Sequence, residues 1–510
     1  MKSEKFAFSI KKLSTPNSQL STFLYLCRQK RMATLKEKTA KGLFWGGLSN
    51  GAQQLLNLVF GIFLARLLTT EDYGMVGMLT IFSLIASSLQ EGGFISALNR
   101  KHEVSHRDYN AVFWTCSLIS ISIYLLLFLC APWIAAFYDE PRLVPLSRYI
   151  FLGFFITSLG IAPRAVLFRQ MKVREQSIVS FVSLLLSGVI GVTMAALGFA
   201  YWGIATQTLV YVSLFTGLTY YYAKWHPTLN VDFSPVREMI GFSSKLILTN
   251  IVIMINTNVF SVILGRLYSP HVVGNYTQAN KWNYMGWSLI NNMLNGISQP
   301  VFAKTDQEKE RQKNIFRKLL RFTAFVSFPL MLGLALVAKE FIVILLGEKW
   351  LGSAMLLQLL CVMGAFYPIS YLFSNLLVAR GHSAVYMWCN IALCLVQLAA
   401  VVFSAPYGIE VMIMVYVAIT VAWILVWHYF AHREINLRLW EVVKDVSPYL
   451  FITCVLIYIA HLLTQDIENL YLCFAVKVLF VAVTYCLTLW LLKSTIFHES
   501  YRFIFRKDIS

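Results

Sequence analysis

Charged residues are scarce in this sequence, at 13% of the chain, and acidic residues are outnumbered by basic ones, 25 to 43. Soluble domains carry about twice that fraction of charge. The nine cysteines lack the paired spacing of zinc or redox sites. Paired catalytic carboxylates, phosphate-binding glycine loops and nucleophile motifs are missing as well. We therefore expect no enzyme, no catalytic residue, no metal site and no cofactor.

Hydrophobic residues, in contrast, make up 58% of the chain and recur in runs of about 20, each long enough to cross a bilayer. The sequence predicts an all-α integral membrane protein with about fourteen transmembrane helices. Their approximate ranges are 42–66, 74–90, 111–137, 144–163, 176–198, 201–223, 242–266, 273–301, 318–338, 351–378, 384–404, 408–431, 446–464 and 469–492.

The net charge of +18 is distributed as in a membrane protein rather than a nucleic-acid-binding one. If the N-terminus is cytoplasmic, Lys and Arg concentrate in the inside segments, and the outside loops hold only Arg142, Lys339 and Lys349. This alternation is the positive-inside rule. It predicts that both termini are cytoplasmic, that lipids surround the protein, and that nucleic acid is not a partner.

The sequence contains a repeat shifted by 200 residues. Residues 48–74 read LSNGAQQLLNLVFGIFLARLLTTEDYG, and residues 248–274 read LTNIVIMINTNVFSVILGRLYSPHVVG. The identical pairs are Leu48/Leu248, Asn50/Asn250, Val59/Val259, Phe60/Phe260, Leu64/Leu264, Arg66/Arg266, Leu67/Leu267 and Gly74/Gly274. Six spans lie between the copies, so both enter the membrane in the same direction. This predicts two six-helix bundles in a parallel pseudo-two-fold repeat, followed by two extra helices, an organisation that transporters use.

The expected domains follow from these spans and the polar stretches between them. They are a basic cytoplasmic arm (1–41), an N-terminal bundle (42–223), a cytoplasmic linker (224–241), a C-terminal bundle (242–431), two additional transmembrane helices (432–493) and a basic cytoplasmic tail (494–510). Met32 opens a basic segment leading into the first span and is an alternative start to Met1. We expect residues 1–31 to be dispensable.

The start of the first bundle resembles a known family. The segment Leu64-Ala65-Arg66-Leu67-Leu68, followed by Glu71-Asp72-Tyr73-Gly74, resembles the opening of the oligosaccharide (Wzx-type) flippases and polysaccharide exporters. These belong to the multidrug/oligosaccharidyl-lipid/polysaccharide exporter superfamily. The resemblance implies a V-shaped pair of bundles that opens alternately to each side. It also implies a cargo of undecaprenyl-pyrophosphate-linked oligosaccharide, flipped across the bacterial inner membrane for O-antigen, capsule or exopolysaccharide synthesis. We expect a monomer that serves polysaccharide polymerase machinery.

Polar residues within the spans are the candidates for lining a cavity. Asn50, Gln53 and Asn57 share one face of span one. Span eight is the most polar, with a stripe at three-to-four-residue spacing: Thr277, Lys281, Tyr284, Ser288, Asn291, Asn292, Asn295 and Gln299. Such a stripe must face protein or water rather than lipid. Hydrogen bonding between helices is the alternative explanation for isolated members; for the stripe as a whole we favour cavity lining.

Basic residues within the spans could bind the anionic cargo that the resemblance implies. Lys281 is the first candidate, because it lies in the polar stripe, followed by Lys245 and Arg148. For the equivalent residues Arg66 and Arg266 we favour a structural role at helix ends, such as binding helix-end carbonyls, over contact with the cargo. We expect Lys477, outside the repeat, to snorkel or face a lipid groove, and acidic partners at such depths to be almost absent.

Three other functions remain open from the sequence. A cation-coupled multidrug exporter on the same fold commonly carries acidic residues inside a bundle, whereas span one offers Asn and Gln. A polysaccharide polymerase or ligase usually has a large outside loop, and the outside loops here are short. A non-transporting scaffold would leave the polar stripe of span eight unexplained.

Overall fold

The computed structural model describes residues 51–91, 98, 104–229, 232–236, 251, 254–255, 258–305 and 308–499, apart from the side chains of 88–91, 295–297, 299–300 and 303. Every regular element in these ranges is a helix, as expected for backbone that must satisfy its hydrogen bonds within lipid. Met32, the N-terminal arm and the basic tail beyond residue 499 lie outside the described residues, as do parts of the predicted linker.

The first half contains α1 to α7 and the second half α8 to α17. The helices of the first half are α1 (Gly51–Leu67), α2 (Thr70–Glu91), α3 (His106–Tyr138), α4 (Leu143–Leu159), α5 (Ile161–Arg169), α6 (Val173–Ala196) and α7 (Trp202–Ala223). Those of the second half are α8 (Asn258–Leu267), α9 (Pro270–Lys304), α10 (Lys309–Leu336), α11 (Ala338–Leu346), α12 (Leu351–Ala379), α13 (Ser383–Ser404), α14 (Ile409–Ala422), α15 (Ile424–Ile435), α16 (Leu439–Leu463) and α17 (Leu470–Leu491).

Eight stretches of the described chain are long and apolar enough to span a membrane, and a ninth is formed by α4 and α5 if that pair, bent by 43°, counts as one span. The protein is therefore a multi-pass membrane protein. Helices α2, α7 and α9 coincide with predicted spans two, six and eight but are not among these stretches. The predicted number of fourteen stays a prediction, because spans one and seven begin outside the described residues.

The motif that opens α2 has a local structural cause. The Asp72 carboxylate accepts hydrogen bonds from the Thr69 backbone N–H and hydroxyl at 2.8 and 2.7 Å, which caps the helix start. Its second oxygen accepts from the Tyr201 N–H at 3.0 Å, so the same side chain fixes the start of α7 against α2. The Glu-Asp-Tyr-Gly segment thus sets the register of two helices of the first half.

The two halves meet along α2 and α9, which pack closely against each other, and α9 in turn packs against α12. One large cluster of buried apolar side chains runs through this contact into the second half. Helix α9 therefore has one side toward the first half and another toward the helices of its own half. Polar residues on α9 face two different environments as a result.

Candidate substrate-binding site

Lys281 lies at the seam between the halves. A Cβ atom added to Gly61 of α1 would be 2.6 Å from its Nζ, so the side chain of this α9 residue rests on the glycine. The ammonium is 5.9 Å from the Trp282 ring centroid. Among the described residues, Lys281 has no ion-pair or hydrogen-bond partner. A half-buried ammonium without a counter-charge can bind an anionic group that enters between α1 and α9.

A cavity of about 540 Å³ opens beside this seam and extends into the second half. One face of α9 forms part of its wall, through Tyr276, Asn280, Tyr284 and Trp287. These residues are spaced by four, four and three positions, which places them in one row along the helix. Leu84 of α2 completes the wall on the side of the first half. The volume lies in the range of ligand pockets.

The remaining walls of this pocket come from α8 and from α12 to α15, together with Met254. Their side chains are mostly aromatic, amide or hydroxyl: Met254, Asn258, Met363, Tyr367, Ser370, Tyr371, Ser374, Tyr386, Asn390, Leu393, Gln397, Tyr416, Thr420 and Trp427. Among the described residues that line it there is no Asp, Glu, Lys, Arg or His. We call this the aromatic–amide pocket. The described lining therefore consists mainly of large polarisable rings and neutral hydrogen-bonding groups.

The aromatic rings of the pocket support one another. The Trp287 and Tyr367 ring centroids are 4.2 Å apart, and Tyr284 meets Trp287 edge-on at 4.8 Å. Tyr386 and Trp427 stack at 5.8 Å on the other side. Such contacts restrict the rings, so their faces are held in position before any ligand arrives. Tyr284 is more than half exposed and stands at the mouth.

One polar atom of the pocket is buried without a partner. The Gln397 side chain is 2% exposed and donates from Nε2 to the Thr420 hydroxyl at 2.9 Å. Its Oε1 has no hydrogen-bond partner among the described residues. An unsatisfied buried acceptor costs about 1–3 kcal/mol. Exchanging the amide O and N assignment would leave the other atom unpaired, so one polar atom of Gln397 can accept or donate a further hydrogen bond in either case.

The polar residues of α9 divide between the two environments. Asn275 accepts from the Ser353 hydroxyl at 2.9 Å, and Asn375 donates to the Ser298 hydroxyl at 3.0 Å, so both pairs join α9 to α12. These contacts fit the alternative explanation of interhelical bonding. Tyr284 lines the pocket, whereas Asn291 is buried elsewhere with its Oδ1 unpaired among the described residues. The side chain of Asn295 lies outside the described residues.

The other candidates from the sequence lie apart from the pocket lining. Asn57 is exposed and Gln53 half-buried on α1. The Arg148 guanidinium lies 4.2 Å from the Phe128 ring centroid, a cation–π contact between α4 and α3. Asn50 and Lys245 lie outside the described residues. The pocket residues contributed by α12 to α15 were not foreseen, because aromatic residues in apolar spans give no periodic polar signal.

The two repeat arginines occupy helix ends. The Arg66 guanidinium donates to the carbonyls of Leu345 at 2.8 Å and Ile344 at 2.6 Å, where α11 ends. Arg266, its counterpart, lies 5.8 Å from the ring centroid of Phe137 at the end of α3. Each arginine therefore contacts a helix end in the opposite half. Gly74 and Gly274 lie where α2 crosses α9.

The contact made by Arg66 is reciprocal. The Lys349 ammonium, just after α11, donates to the carbonyls of Arg66 at 2.7 Å and Leu68 at 2.6 Å. The Trp350 indole donates to the Ala65 carbonyl at 2.8 Å. The C-terminal ends of α1 and α11 thus cap each other with side chains across the two halves. We call these residues the helix-end latch.

The expectation that acidic partners are almost absent at such depths is wrong for Lys477. Its ammonium is 2.6 Å from the Glu340 carboxylate, and both side chains are at least nine-tenths buried. The sequence did not predict Glu340 as its acidic partner, because Glu340 falls in a segment that was assigned to an outside loop. Lys477 also lines an apolar groove of about 540 Å³ between α10 and α17, whose other lining residues include Phe325, Leu330 and Val478.

The sequence from 63 to 355 matches the family model described as "Polysaccharide biosynthesis protein". The chain belongs to this family. It is 25% identical over 353 residues to the lipopolysaccharide biosynthesis protein WzxC of Escherichia coli, covering 68% of this chain and 71% of that one. It is 24% identical to the teichuronic acid biosynthesis protein TuaB of Bacillus subtilis, covering 86% and 91%. The resemblance to the polysaccharide exporters is therefore confirmed.

The fold is that of a solved flippase. The chain superposes on the lipid II flippase MurJ in an inward closed conformation with a TM-score of 0.71, covering 90% of this chain and 98% of that one. The sequences are only 13% identical in this alignment, so the likeness concerns the fold. The prediction of an all-helical transporter fold is confirmed at this level.

Proposed function

We propose that this protein flips a polyprenyl-pyrophosphate-linked oligosaccharide across the bacterial inner membrane by alternating access, for synthesis of a surface polysaccharide. The observation that carries the proposal is the position of Lys281. An ammonium without a partner among the described residues lies at the seam of the halves, three residues from Tyr284 at the mouth of a neutral pocket. Positions three apart on a helix are neighbours. A single cargo with an anionic head and a sugar chain would bind the ammonium through its head and the pocket through its sugars.

The chemistry of the cargo is matched part by part. A pyrophosphate needs a cation in a partly dry site, which Lys281 supplies. Sugars present hydroxyl groups and apolar ring faces, which amides and aromatic rings accommodate. The apolar groove between α10 and α17 offers a surface suited to an isoprenoid chain. The names of WzxC and TuaB refer to polysaccharides of this general kind.

A cation-coupled drug exporter has less support. Such a function needs a carboxylate exposed to the transport path, and none is among the described residues that line the aromatic–amide pocket. Glu340, a buried acid of the second half, is held by Lys477. A further possibility, polymerase or ligase activity, has no catalytic constellation behind it in the described residues. Flipping is therefore the reaction to test first.

The test is transport in vesicles containing the purified protein and a polyprenyl-pyrophosphate-linked saccharide with a fluorescent sugar label. An impermeant quencher removes only the outer-leaflet signal from protein-free vesicles. With the protein we expect the protected inner-leaflet signal to decay as labelled lipid reaches the outside. A Lys281→Gln protein should slow this decay about tenfold or more. Signal that stays protected with well-folded protein would contradict the proposal.

A further inference from the structure

The geometry points to the aromatic–amide pocket as a binding site for an uncharged sugar unit of the cargo, one that discriminates against acidic sugars. This inference rests on the proposed function for its cargo. It adds to that function a second subsite, which is separate from the cation at the seam, and a class of sugar that this subsite binds.

The ring arrangement favours a pyranose. Trp287 and Tyr367 are tilted against each other by 35°, and Tyr386 and Trp427 stack with an angle of 29° between their planes. Aromatic faces of this kind pack against the C–H groups on the flat side of a sugar ring. A purely apolar ligand would leave the amides and hydroxyls of the same walls unsatisfied. The mixture of both is what a sugar requires.

Gln397 supplies independent evidence for a hydroxyl-bearing ligand. Its Oε1 is buried and has no partner among the described residues, while its Nε2 is held by Thr420. Asn390 is held in the same way, through donation from Nδ2 to the Tyr386 carbonyl at 2.8 Å. Both amides are therefore oriented by the protein itself. A sugar hydroxyl near Gln397 would satisfy the free acceptor.

The absence of formal charge in the lining defines the class of sugar. A uronic acid would bring a carboxylate into a cavity whose lining, in the part of the chain that the structure describes, holds no Lys, Arg or His. Burying a charge without a counter-charge is far costlier than burying a hydroxyl that finds a partner. Lys281 is not among the lining residues, and its ammonium rests on Gly61 of α1. We therefore expect the pocket to bind neutral hexoses more tightly than their uronates.

The test measures occupancy without relying on transport. Ser370, which lines the pocket, is changed to cysteine in a background lacking the native cysteines, and its labelling by a small thiol reagent is followed in purified full-length protein. The probes are cellobiose and cellobiouronic acid, which differ by one carboxylate. We expect millimolar cellobiose to slow labelling and the uronate to need at least about tenfold higher concentration.

Two variants localise the effect. Gln397→Leu removes the free acceptor at similar size and should raise the half-protecting cellobiose concentration about tenfold. Trp388→Ala is the control: it lies on the same helix but is 64% exposed and outside the pocket lining, so protection should be unchanged. A melting temperature for each protein identifies misfolding. Trp287→Phe, which reduces the aromatic surface available for stacking in the pocket, is a second and milder variant.

The outcomes separate this inference from the proposed function. Equal protection by both disaccharides, or none by cellobiose in protein that still flips labelled lipid, overturns the neutral-sugar site and leaves flipping intact. Protection by cellobiose that Gln397→Leu weakens, in protein that flips nothing, supports the site and overturns the proposed function. Protection lost equally in Gln397→Leu and Trp388→Ala also overturns the site.

Discussion

Gly74 and Gly274, the repeat glycines, stand against each other's helices where α2 crosses α9. A Cβ atom on Gly74 would be 1.8 Å from the Pro270 carbonyl oxygen, and one on Gly274 would be 1.8 Å from the Thr70 carbonyl oxygen. Each glycine thus meets the backbone of the other copy at the same distance. Because a carbonyl cannot move aside as a flexible side chain can, only glycine fits either position.

The first prediction concerns these two glycines. Gly74→Ala or Gly274→Ala should push the halves apart at the crossing and cost about 1–3 kcal/mol or more in stability, with most flipping activity lost. Gly217→Ala is the matched control, because no atom lies within 4 Å of its added Cβ in α7. Thermal unfolding in detergent and vesicle flipping measure the two effects. Normal stability and activity in both alanine variants would contradict the close crossing.

The second prediction concerns charge at the seam. Lys281→Arg should keep substantial activity, whereas Lys281→Gln should lose most of it at unchanged membrane abundance, since charge-assisted hydrogen bonds contribute about 1.5–3 kcal/mol. Gly61→Ala should have a smaller effect than the glutamine variant, because its new methyl group would displace the end of a flexible lysine side chain but leave the charge in place. The assay is surface polysaccharide restored in a strain lacking its own flippase.

Lys444→Gln is the control for this series, since Lys444 is exposed on α16 and has no ion-pair or hydrogen-bond partner among the described residues. Lys477 is unsuitable as a control because of its bond to Glu340. Wild-type activity for Lys281→Gln would remove this residue from the site.

The parts of the fold and of the candidate site that could be predicted are those with a signal in the local sequence pattern. The equivalence of Gly74 and Gly274 is visible in the aligned repeat, because a close crossing of two backbones requires glycine. The sequence also singled out Lys281 and Tyr284, because polar residues stand out in an apolar span. The family resemblance rested on equally local motifs.

The walls of the aromatic–amide pocket could not be predicted in the same way. Tyr367, Tyr416 and Trp427 lie in spans that read as ordinary apolar helices, and an aromatic ring there packs as readily as it binds. The Glu340–Lys477 pair, 137 residues apart, was missed for another reason: hydropathy placed the acid in a loop. Long-range pairing of single residues leaves no trace in the local pattern.

The third prediction concerns this buried pair. Glu340→Gln leaves the Lys477 ammonium buried without its counter-charge and should cost about 3–5 kcal/mol in stability, seen as lower membrane abundance and melting temperature. The double variant Glu340→Gln with Lys477→Met should recover most of the loss, because no charge then remains buried. A double variant as unstable as the single one would show that the charges themselves do not cause the defect.

The fourth prediction concerns topology. With both termini inside, cysteines at Ser269 and Gln465, which are exposed, should react with an impermeant thiol reagent added from outside, whereas cysteines at His106 and Lys309 should not. The native cysteines are removed beforehand. Thr70 is unsuitable as an outside reporter, because it is buried at the crossing with α9. Inverted labelling at two of these sites would overturn the orientation.

The last prediction concerns the helix-end latch. Arg66→Gln removes two charge-assisted hydrogen bonds to the end of α11, together worth a shift of tenfold or more between closed and open arrangements at about 1.5–3 kcal/mol each. Spin labels at Leu67 and Lys339, both exposed, report the distance between the halves at this side. We expect one narrow distance distribution in the parent and a second, longer population in Arg66→Gln.

Arg66→Lys should give an intermediate result, because an ammonium keeps the charge but not the two-pronged geometry. Since Lys349 and Trp350 still hold α1 from the other side, Lys349→Gln added to Arg66→Gln should increase the longer population further. Identical distributions in all four proteins would show that the latch does not hold the halves together.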